Sequence, residues 1–184
     1  MLGLSGKRAS LGRELPTASY YRFSGAVLAG TYVLMLLGAY TSAIGAGLSC
    51  PDWPTCYGTV VPFFHPEIVA SSPYTALQIF AEWAHRGLAM IMGLAILGTA
   101  VAAHLLEKPP IVRWSATVAL VLLPIQVILG ALTVTENLKP IIVTAHLGTA
   151  ILILLGLATT TIVDWLDSRG RTPAHPGPRH IADD

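Results

Sequence analysis

Residues 77–106 read LQIFAEWAHRGLAMIMGLAILGTAVAAHLL. The stretch exceeds the roughly 20 apolar residues that a helix needs to cross a bilayer. It shows no period-two alternation of the kind a barrel strand would carry. Glu82 and Arg86 interrupt it, and His85 stands between them. Three further stretches have the same character without internal charges: residues 23–47, 114–134 and 141–163. The first is longer than the roughly 7–15-residue core of a signal peptide, so a retained helix is expected although AIGAG at its end resembles a cleavage site.

The whole chain agrees with four spans. Of its 184 residues, 53% are hydrophobic and only 11% charged, against about 25% charged in a soluble domain. The mean hydropathy is +0.63. These values exclude a disordered chain, a nucleic-acid binder resting on a basic patch, and most soluble enzymes. The net charge of +1 points to no electrostatic partner.

The placement of basic residues orients the spans. Lys7, Arg8, Arg13 and Arg22 precede the first helix, Lys108 and Arg113 follow the second, and Arg169, Arg171 and Arg179 follow the fourth. The connection 48–76 has none, and the third connection has only Lys139. By the positive-inside rule both termini are cytoplasmic and the first and third connections face outward. The expected fold is an all-α membrane protein, a four-transmembrane-helix bundle with a long outer loop between helices 1 and 2. Residues 1–22 form an N-terminal cytoplasmic tail, 23–163 the transmembrane domain, and 164–184 a flexible, Pro/Gly-rich cytoplasmic tail. The two helix pairs share little sequence, so no internal repeat is expected.

A connection as long as 48–76 is usually functional or disordered. This one holds aromatics, prolines and the only cysteines, Cys50 and Cys56, around PDWPT. Outside the cytoplasm the pair can form a disulfide. A structural staple, two free thiols and a redox-active pair all remain open. A zinc site is disfavoured, because with His65 the pair falls short of four ligands.

Ionisable groups inside a membrane are costly and therefore candidates for function. Glu82, His85 and Arg86 share one helix face at i, i+3 and i+4. His85 lies roughly 12 Å into its helix and His146 roughly 8 Å into the fourth, which runs parallel to it. Two imidazoles at matched depth can hold a flat metal macrocycle such as haem between them. Gly87, Ala89, Gly93, Gly130, Ala131, Gly148 and Ala150 leave room for such a ring, and Arg86 is placed to pair with a propionate. The plainer alternative is a polar core histidine bonded to a neighbouring helix. Glu82 has two readings as well: proton transfer beside a haem, or a structural ion pair with Arg86. Gln126, after the kink-prone Pro124, is expected to make an interhelical hydrogen bond.

GAGLSCPDWPTCYG, EWAHRG, QVILGALTVT and VTAHLGTA, in this order and spacing, resemble the haem A synthase family. The resemblance spans nearly the whole chain from the first helix to the fourth. It implies oxidation of a ring methyl of haem O to the formyl of haem A, for terminal oxidase biogenesis, with a haem b cofactor. It implies that His85 and His146 are axial iron ligands, that Glu82 is catalytic, and that Cys50 and Cys56 form a disulfide on the outer side of the plasma membrane. Most members have eight helices in two related halves, and this chain resembles the first half alone. That implies a homo-oligomer, with haem O synthase and terminal oxidase subunits as candidate partners and an electron donor from elsewhere. Many members carry a basic residue near the position of Ser42, so contacts inferred there do not transfer. Three rivals stand beside this reading: a small b-type cytochrome, a disulfide-relay protein, and a haem-binding oxidase assembly factor without catalysis.

Overall fold

The computed structural model describes residues 18–170. Four long helices dominate: α1 (Ala18–Ala43), α3 (Ala76–Leu105), α4 (Pro110–Thr135) and α5 (Pro140–Gly170). The connection after α1 carries a 3-10 turn (Pro62–Phe64) and the short α2 (Pro66–Ser71). All four long helices are long and apolar enough to cross a membrane. Their sides expose Met90, Leu94, Trp114, Val121, Ile141 and Leu155, where a water-soluble bundle would place charge.

Local sequence sets the helix ends. Thr75 and Gln78 close a capping box at the start of α3, satisfying two otherwise unpaired N–H groups. Proline opens α4 and α5, where its missing N–H costs nothing. α3 and α4 stop the same way. Glu107 (φ 49°) and Asn137 (φ 50°) turn left-handed, and the amides of Lys108 and Leu138 reach back to the carbonyls of Ala103 and Thr133 at 3.0 and 2.8 Å. This is the Schellman pattern, and it makes both connections tight.

Around the bundle, α1 packs on α3 and α5, and α4 packs on α5 and α3. α3 and α5 therefore face each other across one diagonal. A mid-bundle core of Val27, Met92, Ile96, Ala119, Ile153 and Leu157 continues into Tyr20, Ala100, Ala103, Val112 and Ala116. A third cluster, Cys50, Cys56 and Ile79, lies at the end that carries the long connection, the loop end.

Two boundaries differ from the sequence expectation. α1 begins at Ala18 rather than 23, with Tyr20 buried. α5 continues to Gly170, so 164–170 are helix rather than tail. The reason is Asp164, which ends the apolar run yet is buried: its Oδ1 pairs with Lys108 Nζ at 2.9 Å. Lys108 also lies over the Tyr20 ring, 4.9 Å from its centroid, and Tyr20 Oη donates to the Thr99 carbonyl at 3.1 Å. The remainder of both expected tails, 1–17 and 171–184, lies outside the described residues.

An internal repeat is also present, against expectation. Buried positions of α3 recur in α5: Met92, Ile96 and Thr99 correspond to Ile153, Leu157 and Thr160, counted from His85 and His146. Thr99 and Thr160 each return their hydroxyl to the carbonyl four residues back, both at 2.9 Å. Buried Tyr20, Ser24 and Val27 of α1 likewise correspond to Val112, Ala116 and Ala119 of α4. Outside two short motifs the side-chain identities have diverged while these buried positions have kept their register, which is why residue-by-residue comparison misses the repeat.

Removing Lys108 leaves a buried carboxylate without its counter-ion. Lys108→Ala should lower stability by about 3–5 kcal/mol, measured by thermal or denaturant unfolding in detergent. A Lys108→Met, Asp164→Leu double variant should recover most of that loss, and a fully stable single variant would show the pair to be idle.

Candidate functional site

The site begins with the loop. Cys50 and Cys56 form a disulfide, which sets aside the free-thiol and zinc readings of the pair. Cys56 and Thr59 exchange backbone hydrogen bonds at 2.9 and 3.2 Å across Tyr57 (φ 56°) and Gly58 (φ 73°), a tight hairpin turn with both central residues left-handed. Asp52 organises this turn. Its carboxylate accepts from the amides of Tyr57 at 2.6 Å and Gly58 at 2.9 Å, and from the Thr55 hydroxyl. Slight burial alone would push the Asp52 carboxyl up, but these hydrogen bonds outweigh it and hold it below its ordinary value. Sequence reasoning overlooked Asp52; the available signal was an acidic residue between two cysteines with a Tyr-Gly turn behind it.

The loop is then fastened to α3. Ser49 Oγ donates to the Gln78 carbonyl at 3.0 Å, and Trp83 Nε1 to the Val60 carbonyl at 2.7 Å. Phe63, Phe80 and Trp83 pack with ring centroids 5.6–5.9 Å apart. The strongest attachment is Arg86. Its Nη1 donates to the carbonyls of Asp52 (2.5 Å) and Thr55 (2.8 Å), and its Nη2 to that of Cys50 (2.8 Å). Its Nε donates to Glu82 Oε1 at 2.9 Å. Four of the five guanidinium N–H groups are thereby used, leaving one for the propionate contact anticipated from sequence. Glu82 is buried and Arg86 nearly so, and they form the ion pair that the i, i+4 spacing anticipated.

His85 follows Glu82 by one turn. Its ring lies against Gly38 of α1, where an added Cβ would meet Cε1 at 2.8 Å. His146, on α5, lies against Gly130 of α4, where a Cβ would meet Cε1 at 3.1 Å. The Gln126 side-chain nitrogen is 3.3 Å from His146 Nε2.

Among the described residues, the buried side-chain polar atoms without a hydrogen-bond partner are His85 Nδ1, His146 Nδ1, Gln126 Oε1 and Asp164 Oδ2. Three of these belong to this one region. Unpaired buried polar atoms are rare and cost about 1–3 kcal/mol each. An imidazole with one side of its ring held by protein and a second nitrogen buried and unpaired is set up as metal-ligating histidines are. The donor set therefore fits a macrocycle-bound iron between α3 and α5. A groove of about 320 Å³ at the loop end, lined by Ser42, Leu138, Pro140, Val143 and Thr144, lies one helical turn from Gly38 on α1 and from His146 on α5.

The helices and their apolar sides define a multi-pass membrane protein. The chain matches the family described as cytochrome oxidase assembly protein over residues 21–182. A haem A synthase of Shewanella oneidensis is 36% identical over 124 residues, 64% of this chain and 37% of that protein. A haem A synthase of Alkalihalophilus pseudofirmus is 30% identical over 151 residues, 79% of this chain and 46% of that protein. A protoheme IX farnesyltransferase of Halobacterium salinarum is 38% identical over 104 residues, 56% of this chain and 21% of that protein. The chain thus spans less than half the length of these curated relatives. It belongs to the cytochrome oxidase assembly protein family, the haem A synthases among them.

The Asp52 turn should be acid-labile. A carboxylate held below its unfolded value stabilises the turn fully above that value, and the contribution is lost as pH falls through the lower folded one. Hydrogen exchange at the Tyr57 and Gly58 amides should be slow near neutrality, after correction for intrinsic rates. Protection should fall below about pH 4. Asp52→Asn should flatten the dependence; an unchanged profile in that variant would contradict the assignment.

Proposed function

We propose that this chain acts as a haem A synthase, oxidising a ring methyl of haem O to the formyl of haem A. The observation that carries the proposal is the pair of half-buried histidines across the α3–α5 diagonal, each with a buried, unpaired Nδ1, beside the Glu82–Arg86 pair. His85 and His146 would hold the haem iron, and bound haem would supply the redox chemistry. Haem O is the substrate and haem b the cofactor in this reading. Two successive two-electron oxidations of the methyl, each adding one oxygen and each needing an oxidant from outside the chain, such as dioxygen with an electron donor, would give an alcohol and then a hydrated aldehyde, which loses water.

Glu82 is the proton-handling group. Its Oε1 is engaged by Arg86, which leaves Oε2 to accept or return a proton. Arg86 is a positioning residue, because it ties that carboxylate to the loop. The loop and its disulfide are held against Glu82's partner Arg86 by three backbone carbonyls. A b-type cytochrome needs the histidines but not this acid–base pair tied to a disulfide-bonded loop, and that difference favours the synthase.

The distribution of basic residues supports cytoplasmic termini and a site toward the outer face of the plasma membrane. One bundle carries one histidine pair, so a homo-oligomer would supply separate substrate and cofactor sites. The likeness to proteins named for farnesyl transfer to protohaem supports association with the enzyme that makes haem O.

Expression with a haem O source, followed by pyridine haemochrome analysis of extracted haem, tests the activity. Formyl-haem is expected from the wild type. Glu82→Gln should lower its formation by about 10²–10⁴-fold while bound haem is retained, and His85→Ala or His146→Ala should lose the haem spectrum. Bound haem that is never converted would favour the cytochrome or assembly-factor reading.

A further inference from the structure

The two histidines are seated by one device used twice. Leu37-Gly38-Ala39-Tyr40-Thr41 on α1 and Leu129-Gly130-Ala131-Leu132-Thr133 on α4 share the pattern L-G-A-x-T. Ala84–Ala89 on α3 and Ala145–Ala150 on α5 share A-H-x-G-x-A. In each pair the glycine of the first helix meets the histidine ring of the second. In each, the threonine three residues beyond that glycine donates to the glycine carbonyl, at 2.7 Å for Thr41 and 2.6 Å for Thr133.

We propose that Gly38 and Gly130 are equivalent positioning residues of this internal repeat, fixing the orientation of the His85 and His146 rings. Helical backbones approach closely where a glycine intervenes, and the ring fills the space a Cβ would take. At Gly38 the added Cβ would sit 2.8 Å from Cε1, closer than real Cβ contacts allow. The ring end of a side chain can move, so the helices stay packed and the imidazole turns. At Gly130 the approach is 3.1 Å, and a displacement of a few tenths of an ångström relieves it. The effect is therefore larger at Gly38. Gly98 is the control, because a Cβ there meets Phe23 at an ordinary 3.8 Å.

The significance for haem rests on the proposed ligation; the seat itself does not. Protein labelled with [13C]histidine, purified in detergent, is compared with and without added haem b. Without haem, Gly38→Ala should move the His85 Cε1–H resonance and leave that of His146. Gly130→Ala should do the reverse by a smaller amount, and Gly98→Ala should move neither. With haem, Gly38→Ala should weaken haem affinity on the order of ten-fold and alter the low-spin electron paramagnetic resonance signal, which reports the relative orientation of the two imidazoles. An unmoved His85 resonance together with wild-type haem affinity and signal in Gly38→Ala would overturn the proposal. If the wild type takes up no haem, the functional reading falls, and the resonances still decide whether the glycines seat the rings.

Discussion

The Arg86 guanidinium joins the two parts of this molecule that carry its chemistry. It grips three carbonyls of the disulfide loop and one carboxylate oxygen of its own helix. Charge-assisted hydrogen bonds of this kind are the strong ones, and a planar fork holds several acceptors in fixed geometry. The disulfide shortens the loop, Asp52 shapes its turn, and Arg86 sets it over α3. His85 sits at the adjacent position on that helix, so the seat of the loop and the site beneath it share one anchor. A lysine could supply the charge at position 86 but not the four-way geometry.

The internal repeat gives the site a frame with two sides that differ in kind. The positions three before and one after the histidine are Glu82 and Arg86 on α3; on α5 the equivalents are Val143 and Leu147. The α3 side is ionic and tied to the loop. The α5 side is apolar, and Val143 lines the groove at the loop end. One scaffold thus presents acid–base groups to one side of its histidine pair and an apolar surface to the other. Such an arrangement suits a ligand that is itself part polar and part apolar.

Much of this was legible in the sequence because a bilayer leaves few options. Four apolar runs had to be helices, short proline-stopped connections had to make antiparallel neighbours, and histidines inside such runs had to be used for something. Other features stayed hidden for physical reasons. Asp164 reads as the end of a span, because the sequence does not display the Lys108 that neutralises it from the turn between α3 and α4. Arg86 reads as a partner for Glu82 or for a propionate, because its other partners are backbone carbonyls, which no side-chain pattern encodes. Gly38 and Gly130 read as generic small residues until the rings they face are located. The repeat went unseen because it survives in burial register and in two short motifs, while the residues between have changed.

The central claim is that His85 and His146 hold one haem iron across the α3–α5 diagonal. Near-infrared magnetic circular dichroism of the purified ferric protein, with haem counted per chain, tests it most directly. The account predicts a bis-imidazole iron, with that signature abolished by either His85→Ala or His146→Ala. A bis-imidazole signature that survives loss of either histidine, or a ligand pair of another kind in the wild type, would contradict it.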